Sequence, residues 1–528
     1  MLTRKIAPDL HVTGQIMPDD LDAVAAAGFR SIICNRPDNE ELGQPGFSRI
    51  EAAASAKGIA CRYLPVGGAF TPEDQAVAFA RARSEMPGPF LAYCRTGNRS
   101  EKVAAAARSL SGAAPGGAAT KAHHKVVIVG GGSAGIATAA SLLRRDRHLD
   151  IAVIEPATEH FYQPGFTMVG GGVFKQSDTV RKMRDVMPRG VTWMRDAALA
   201  FQPENNTLLL ASGIQVSYEV LVVAVGNRLV WDRIEGLSAT LGRNGVTSNY
   251  RYDLAPYTWQ LVQELKARGG QQRALFTQPP MPIKCAGAPQ KAMYLACSEW
   301  EKGRVLQGFD VEFHNAGGVL FGVSEYVPAL METVERYGID LNFGSTLVAV
   351  DGPSRQATFK TANGEVTRGF DMLHAVPPQV GHAIVADSPL ADATGYVEVD
   401  QNTLQHVRHP NVFGLGDGCS TSNAKTAAAA RKQAPVVAVN VLAALRGEPP
   451  KAAYDGYGSC PLTVDRGHIV LAEFTYGGKL SPSLPRWLIE GTRPSRLAWH
   501  LKADALPPIY WHGMLKGREW LVPPAPLL

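Results

Sequence analysis

The sequence predicts an α/β protein built around a dinucleotide-binding domain, and three observations support this fold class. The first is an apolar, β-branched segment, Val126 to Val129, of the kind that forms a parallel strand covered on both faces. The second is the glycine-rich turn GGGSAG that follows it. The third is another apolar segment, residues 151–154, which is directly followed by an acidic residue. Together they describe the strand, turn, helix and strand of a dinucleotide-binding unit.

Composition bounds the number of domains and excludes several classes of protein. A chain of 528 residues should form roughly three or four domains of about 150 residues. Its 53 basic and 48 acidic residues give a net charge of +5, which is too diffuse to indicate nucleic-acid binding. The N-terminus lacks an apolar signal-peptide core, and no segment reaches the ~20 apolar residues of a spanning helix. We therefore expect no signal peptide and a position on the cytoplasmic side.

The first predicted domain, residues 1–108, alternates helical and strand patterns and contains a reactive-cysteine loop. Cys94 follows an apolar strand, residues 89–93, and opens the loop CRTGNRS before a helical segment, residues 101–110. Backbone N–H groups and a helix N-terminus would therefore face the sulfur. Together with Arg95 and Arg99 they should favour the thiolate.

This domain resembles the phosphatase-like family of β-lactamase-hydrolase-like proteins in GFRSIICNRPDNEE, YLPV, PGPFLAYC and CRTGNRS. Four residues separate Cys94 from Arg99, as in rhodanese-like sulfur transferases, whereas tyrosine-phosphatase loops have five. The resemblance thus implies a persulfide on Cys94, and a phosphatase stays open. Asp38 resembles the general acid of the phosphatase relatives, or is a turn residue. Residues 109–123 are small and glycine-rich, and we predict a flexible linker there.

The glycine-rich turn has the spacing that a bound pyrophosphate requires. Gly130 permits the tight turn, Gly132 lets the pyrophosphate approach the backbone, and Gly135 lets the helix pack closely on the strand. Glu155 follows Gly135 by twenty residues, where an acidic residue binds a ribose hydroxyl.

A second strand, turn and helix pattern appears towards the end of this region. An apolar strand, residues 411–415, precedes Gly416, Asp417 and a small-residue helix, residues 425–430. The pattern resembles the second flavin fingerprint of disulfide-reductase-type flavoproteins, with Asp417 on the ribityl chain. Residues 124–450 are therefore predicted to form two Rossmann-like domains that bind FAD.

The loop after the central strand, residues 273–277, does not suit a nicotinamide nucleotide. Its sequence is QPPMPIKCAG, and its three prolines remove the backbone donors that a pyrophosphate needs. In place of a glycine turn stands Cys285, whose neighbour Lys284 should lower the pKa of the thiol. Cys460 lies in another loop, GSCP. If both loops reach the flavin, Cys285 and Cys460 form a redox pair. The other four cysteines are interpreted as structural: Cys34, Cys61, Cys297 and Cys419.

The segments FTQPPMPIKCAGAPQK, EHFYQPGFTMVGGG, VFGLGDGCSTSNAKTAAAA and YDGYGSCPLTVDRGHIVLAEF resemble the sulfide:quinone oxidoreductases, in particular the mitochondrial-like type with two cysteines. The resemblance spans residues 124 to about 520 and implies Cys285 and Cys460 as the catalytic pair and Phe474 as the aromatic residue that stacks on the quinone. It implies FAD contacts from Ser133, Ala134, Glu155, Gln163, the backbone of Ala198, Asp417, Lys425, Thr426 and Ala427.

The partners that the resemblance implies are sulfide, a ubiquinone-type quinone and a small thiol such as glutathione. Sulfide would open a Cys285–Cys460 disulfide and leave a persulfide on Cys460. No metal and no nucleic acid are expected, and a homo-oligomer is left open.

The C-terminal region, residues 451–528, combines aromatic and basic residues. Such residues suit a membrane interface, and the resemblance favours a peripheral membrane protein. A tail packed on the body or at a dimer interface is the alternative, because five prolines prevent a long amphipathic helix. The aromatic residues concerned are Trp487, Trp499, Tyr510, Trp511 and Trp520.

Two other functions were weighed against sulfide oxidation. An NADH:quinone dehydrogenase is disfavoured by the missing second glycine turn. A redox sensor or scaffold with an inactive flavin, in which the phosphatase-like domain binds a partner, is the other alternative.

Overall fold

A computed structural model describes residues 3–38, 40–41, 43–67, 72–110 and 121–527. The chain divides into two compact units. One comprises residues 1–122, 195–200 and 208–216, and the other comprises residues 123–194, 201–207 and 217–528.

The N-terminal domain in the first unit is a five-stranded sheet with helices on both faces. The strand order is β1-β2-β5-β3-β4, and only β1 is antiparallel to its neighbour. Because β5 lies in the middle of the sheet, Cys94 directly after it stands at the carboxyl edge, where α/β proteins bind ligands. The elements are β1 (Thr3–Ala7), β2 (Leu10–Thr13), α1 (Leu21–Ala26), β3 (Ser31–Cys34), α2 (Phe47–Ser55), β4 (Ala60–Tyr63), α3 (Pro72–Glu85), β5 (Phe90–Tyr93) and α4 (Asn98–Leu110).

The strands that follow are β6 (Lys121–Val129), β7 (Ile151–Ile154), β8 (Glu159–Phe161), β9 (Val180–Lys182), β10 (Val191–Met194), β11 (Ala198–Gln202), β12 (Thr207–Leu210), β13 (Gln215–Val223), β14 (Asn227–Leu229), β15 (Val246–Thr247), β16 (Gln272–Gln278), β17 (Phe309–Asn315), β18 (Asp340–Phe343), β19 (Thr346–Asp351), β20 (Gln356–Thr361), β21 (Gly364–Gly369), β22 (Met372–His374), β23 (Gln379–Gly381), β24 (Val412–Gly414), β25 (Ala452–Ala453), β26 (Gly458–Asp465), β27 (His468–Phe474) and β28 (Ala525–Pro526).

The α-helices that follow are α5 (Ser133–Arg145), α6 (Phe166–Gly170), α7 (Met183–Val186), α8 (Leu237–Thr240), α9 (Ala255–Arg268), α10 (Ala288–Lys302), α11 (Val327–Tyr337), α12 (Ala383–Ala386), α13 (Ala427–Ala444), α14 (Arg496–His500) and α15 (Leu506–Pro508). Two π-helical segments, Leu501–Ala505 and Ile509–Gly513, flank α15.

The large unit contains two Rossmann-like sheets, which confirms the predicted fold class. In the first sheet, β10, β7, β6 and β13 follow one another and β24 pairs with β13. Helices α5 and α13, which follow the two fingerprints, pack against each other. The second sheet has the order β15-β22-β16-β17-β18, and all its strands are parallel.

The hairpin β26–β27 packs on α10, which lies against β16 of the second sheet, and brings the C-terminal cysteine to the core of the protein. Cys460 and Phe474 of the hairpin belong to the same buried apolar cluster as Phe276 of β16 and Met293 of α10. The sequence-based prediction of a loop position for Cys460 is wrong, because Cys460 lies within β26 and pairs with Ala472 of β27. Cys285 and Cys460, 175 residues apart in the sequence, both come close to Lys291 of α10.

Two features differ from the sequence-based expectations. Residues 111–120 of the predicted linker lie outside the described residues, but Lys121 to His123 already belong to β6 and residues 109–110 to α4. Within the described part of the chain, no helix combines the length and the apolar character needed to cross a bilayer.

Candidate active site

Cys285 lies in a strained turn between β16 and α10. Its φ angle is +48°, in the left-handed region that non-glycine residues rarely adopt. The turn is held on both sides: the Cys285 N–H donates to the carbonyl of Lys425 at 2.8 Å, and the Cys285 carbonyl accepts from the N–H of Ala288 at 2.7 Å. A strained backbone conformation that neighbouring hydrogen bonds hold in place is typical of functional positions.

A buried lysine, Lys291, lies between the two sulfurs. Its Nζ is 3.1 Å from Sγ of Cys285 and 3.9 Å from Sγ of Cys460. Lys291 projects from the first part of α10 and is 3% exposed. Burial lowers the pKa of its ammonium, but the two sulfurs raise it more, so the net pKa lies above its ordinary value.

The two sulfurs have opposite electrostatic environments. A hydrogen bond from Cys460, together with the charge of Lys291, holds the pKa of Cys285 well below its ordinary value. The same hydrogen bond and burial raise the pKa of Cys460 well above its ordinary value. In the reduced pair, Cys285 is therefore the thiolate, and the Cys460 thiol donates to it.

Gly287 permits strand β26 to approach the turn of Cys285 closely. A Cβ atom at this position would lie 2.5 Å from Sγ of Cys460, closer than any real contact. A glycine two residues after Cys285 is thus needed for Cys460 to reach the pair.

The sequence predicts Lys284 as the cation that activates Cys285, but the cation in contact with the sulfur is Lys291, and Lys284 interacts with Cys285 through its charge alone. The Lys284 ammonium donates to Oε1 of Gln163 at 2.6 Å, so the side chain points to the loop that the resemblance assigned to FAD. Adjacency in the sequence is misleading here, because the left-handed turn at Cys285 makes the side chains of Lys284 and Cys285 point in different directions. The signal for Lys291 was present, since it is the one charged residue in the segment CAGAPQKAMYLACS, but its position at the sulfurs depends on the turn.

The glycine-rich turn between β6 and α5 has the shape of a dinucleotide cradle. A Cβ at Gly135 would lie 1.9 Å from the carbonyl oxygen of Gly130, so only glycine lets the helix pack here. A Cβ at Gly132 would meet nothing within 4 Å, which leaves the space that a pyrophosphate needs. Glu155 accepts from the N–H of Gly131 at 2.7 Å, so its carboxylate also fixes the turn. These residues fit FAD.

The second fingerprint lies beside the start of α5, because a Cβ at Gly416 would be 3.0 Å from the Cβ of Ala134. Asp417 follows β24, and burial raises the pKa of its carboxyl group, with Lys284 and Lys425 opposing that effect. Thr426 caps α13, because its hydroxyl accepts from the N–H of Ala429 at 3.1 Å. The Lys425 ammonium donates to the carbonyl of Cys419 at 2.8 Å.

The remaining residues that the resemblance assigned are placed as follows. Ser133 and Ala134 open α5, Ala427 opens α13, and Ala198 is buried at the start of β11. Phe474 is 8% exposed, and its ring makes an edge contact with that of Phe321 at 6.2 Å between centroids.

Cys94 is buried beneath its loop. The N–H of Gly97 lies 3.1 Å from the sulfur. Burial raises the pKa of Cys94, but hydrogen bonds from backbone N–H groups of the loop lower it by more, so the net pKa is below its ordinary value. The donors are Thr96, Gly97, Arg99 and Ser100.

A carboxylate that the sequence analysis missed pairs with the arginine of this loop. Arg99 donates to Glu40 at 2.7 Å and to the carbonyl of Val66 at 2.8 Å, and Arg36 donates to the same Glu40 oxygen at 2.9 Å. Asp38 accepts from the N–H of Phe47 at 2.8 Å, which favours the turn-residue interpretation over a general acid.

Of the four cysteines interpreted as structural, three have a raised pKa and the fourth, Cys419, is held by a hydrogen bond. Burial raises the pKa of both Cys34 and Cys61 to about 12, and it raises that of Cys297 as well. The thiol of buried Cys419 donates to the carbonyl of Gly416 at 3.2 Å.

The C-terminal aromatic residues do not form one surface. Trp487 is 84% exposed and Trp520 is 50% exposed, whereas Tyr510 and Trp511 are only 4% and 7% exposed. The assignment of Tyr510 and Trp511 to a membrane interface is therefore wrong, because both rings pack against the loop around His160 and Tyr162.

Comparison with known proteins matches each part of the chain to a family. The family model for the beta-lactamase hydrolase-like protein, phosphatase-like domain, matches residues 3–111, and that for pyridine nucleotide-disulphide oxidoreductase matches residues 124–258. The mitochondrial sulfide:quinone oxidoreductase of Dictyostelium discoideum is 41% identical over 386 residues, which are 73% of this chain and 84% of the relative.

Two further relatives are informative. A beta-lactamase hydrolase-like protein of Agrobacterium fabrum is 37% identical over 108 residues, which are 20% of this chain and 25% of that relative. The crystal structure of the sulfide:quinone oxidoreductase of Aquifex aeolicus superposes with a TM-score of 0.63 at 21% identity, and the match covers 75% of this chain and 92% of that one. The second likeness supports the fold.

Replacing Lys291 by Met should move the ionisation of Cys285 to higher pH. The thiolate is the form that alkylates, and an opposite charge within 4–6 Å shifts a pKa by about one to three units. We expect the midpoint of the pH profile for alkylation of Cys285 by iodoacetamide, measured by peptide mass on reduced protein, to rise by a similar amount. Lys284→Met is the matched control and should change the profile much less. Equal shifts in both variants would contradict the assignment.

Proposed function

The chain belongs to the sulfide:quinone oxidoreductase family and is an FAD-dependent oxidoreductase, and we propose that Cys285 and Cys460 are the pair through which it oxidises sulfide and reduces a quinone. The observation that carries the proposal is the placement of both sulfurs around Lys291. The loop before Cys285 has prolines in place of the N–H donors that a nicotinamide nucleotide requires.

The different pKa values of Cys285 and Cys460 determine which sulfur of the disulfide is attacked by hydrosulfide. In thiol–disulfide exchange the sulfur with the lower pKa leaves faster. Hydrosulfide therefore attacks Cys460: the Cys285–Cys460 bond breaks, a sulfur–sulfur bond forms on Cys460, and Cys285 leaves as a thiolate beside Lys291. The product is a persulfide on Cys460.

The cycle closes when a small thiol removes the outer sulfur. A thiol such as glutathione attacks the persulfide and leaves with the sulfane sulfur, and the reduced cysteine pair returns to the disulfide by losing two electrons. FAD, when bound, supplies the two-electron acceptor through which these electrons reach the quinone. The sum is hydrosulfide, thiol, quinone and a proton giving a thiol persulfide and a quinol.

Phe474 is proposed to stack on the quinone. It lies at the end of β27, and Cys460 pairs with Ala472 two residues earlier on that strand, so the aromatic ring is close to the redox pair along the hairpin. Phe321 supports the ring from its edge.

Sulfide, but not NADH, should bleach the yellow protein. Cys285→Ala and Cys460→Ala should each abolish bleaching by sulfide, because each removes one sulfur of the pair. Both variants should stay yellow, since neither cysteine lies in the glycine-rich turn. Anaerobic absorbance spectra after each addition check this expectation. Rapid bleaching by micromolar NADH would favour a dehydrogenase, and bleaching by sulfide in either variant would remove the pair from the reaction.

The N-terminal domain is proposed to accept sulfane sulfur on Cys94. A persulfide is anionic, and the loop N–H groups that lower the pKa of Cys94 would stabilise it. A phosphate dianion fits less well than this singly charged group, because the Glu40 carboxylate paired with Arg99 repels a double negative charge more strongly. Covalent fusion raises the effective concentration of Cys94 for a persulfide formed elsewhere on the chain.

One turnover with sulfide and quinone should add one sulfur atom to the Cys94 peptide. Peptide mass mapping measures this gain, and Cys94→Ser should produce thiol persulfide more slowly than the wild type. Cys61→Ser is the control, since burial raises the pKa of that thiol. An unmodified Cys94 with unchanged sulfur output would favour a phosphatase or docking role.

The surface that we propose for membrane contact is the exposed apolar patch Trp487, Leu488 and Leu497. These side chains are 84%, 42% and 44% exposed. Three arginines adjoin the patch in sequence and suit anionic headgroups: Arg486, Arg493 and Arg496. The platform beneath is rigid, because Ile489 and Ala498 pack on Ile469 and Leu471 of β27.

Replacing Trp487, Leu488 and Leu497 together by Ala should lower binding to vesicles that contain anionic lipid by more than about tenfold, since each side chain loses its apolar burial in the bilayer. Co-sedimentation measures the bound fraction. Val319→Ala with Phe343→Ala removes exposed apolar side chains elsewhere and should leave binding unchanged. Unchanged binding of the patch variant would remove this surface from the proposal. Deleting residues 485–528 is a poorer test, because it also removes buried Tyr510.

A further inference from the structure

We propose that Tyr510, in the C-terminal segment of residues 501–520, positions the glycine-rich turn of the FAD site through His160 and Ser133. The inference rests on the FAD site of the proposed function and concerns retention of the cofactor, which can be measured without turnover.

Three polar groups connect the tail to the turn. The Tyr510 hydroxyl lies 2.7 Å from Oγ of Ser133, the first residue of α5, and 2.6 Å from Nε2 of His160. Nδ1 of His160 lies 3.2 Å from the carbonyl oxygen of Gly131. Tyr510 and His160 are 4% and 3% exposed, so water does not compete for these contacts.

Only one assignment of donors and acceptors is consistent with these three hydrogen bonds. Burial lowers the pKa of His160 to about 4, so the ring is neutral near pH 7. Since Nδ1 faces a carbonyl oxygen, it carries the ring hydrogen, and Nε2 is an acceptor. Tyr510 therefore donates to Nε2 of His160. Its oxygen is left to accept, so Ser133 donates to Tyr510.

The direction of these hydrogen bonds determines which groups of the turn can contact a pyrophosphate. The Ser133 hydrogen is committed to Tyr510, so contact with an anion falls to backbone N–H groups at the start of α5. Both backbone groups of Gly131 are also fixed, the N–H by Glu155 and the carbonyl by His160. The turn is thus held in shape before a cofactor arrives, which lowers the ordering cost of binding.

The rest of the segment is anchored along the same helix. Glu519 accepts from Arg145 at 2.5 and 2.9 Å and from the hydroxyl of Ser141 at 2.6 Å. Gly517 lies so close to α5 that a Cβ there would be 2.6 Å from the carbonyl oxygen of Ala140. Arg431 of α13 donates to the carbonyl of Trp520. The tail therefore contacts the two helices that follow the fingerprints.

Tyr510→Phe tests the proposal because it keeps the ring and removes only the hydroxyl. Loss of a buried hydrogen bond that orders the turn should raise the dissociation constant of FAD about three- to tenfold, measured by flavin fluorescence on the full-length protein. Glu519→Gln is the matched control. It weakens the tail on the same helix away from the turn, so the melting temperature should fall while FAD affinity stays within about twofold of wild type. An unchanged affinity in Tyr510→Phe, or an equal loss in Glu519→Gln, overturns the proposal.

A double-mutant cycle tests the direction of the hydrogen bonds. If Ser133 donates to Tyr510, the effects of Ser133→Ala and Tyr510→Phe on FAD affinity are coupled, and the double variant loses less than the product of the single losses. Multiplicative losses would mean that Ser133 contacts the cofactor by itself, which overturns the relay. Both readouts measure FAD binding, so they stand even if the protein does not oxidise sulfide.

Discussion

An ammonium group buried in an apolar core is stable only when a negative charge accompanies it, and Lys291 and Cys285 form such a pair. Burying one unpaired ion costs several kcal/mol. Each partner therefore keeps the other ionised: the sulfurs raise the pKa of Lys291, and Lys291 lowers that of Cys285. Cys460 completes the arrangement by donating to the thiolate. The asymmetry between two chemically identical side chains arises mainly from this cation and from the direction of one hydrogen bond, and the charge of buried Lys502 lowers the pKa of Cys285 further.

The strained turn at Cys285 connects this pair to the dinucleotide fold. Cys285 can occupy the left-handed region because two hydrogen bonds hold its backbone. Its N–H donates to the carbonyl of Lys425, a residue of the second fingerprint, and its carbonyl accepts from the N–H of Ala288, the first residue of α10. A change in the loop of the second fingerprint would thus reach Cys285 through one hydrogen bond. Gly287 adds the steric condition, since any side chain there would displace Cys460. Cofactor site and redox pair are consequently one structural unit.

The sequence predicted most of the fold because its signals were local. The strand before Gly130, the glycine spacing and the acidic residue after β7 are read from adjacent residues, and the structure places them as expected. Resemblance supplied the pairing of Cys285 with Cys460, which lie 175 residues apart. Side-chain direction after an irregular turn could not be predicted: Lys284 was chosen because it is adjacent, yet Lys291 reaches the sulfurs. Glu40 was missed for a similar reason, since its contact with Arg99 joins two loops separated by 59 residues.

The C-terminal tail shows why aromatic composition is ambiguous. Trp487 and Tyr510 both stand beside basic and apolar residues in the sequence, but one is exposed and the other is buried. The two residues differ because the hydroxyl of Tyr510 has two hydrogen-bond partners in the dinucleotide domain. Most of the surface of Trp487 is in contact with solvent. A buried hydroxyl must be satisfied, and Ser133 and His160 satisfy it only if the tail lies on α5. The same tail thus carries an exposed apolar side chain and a buried hydroxyl that is committed to the cofactor turn.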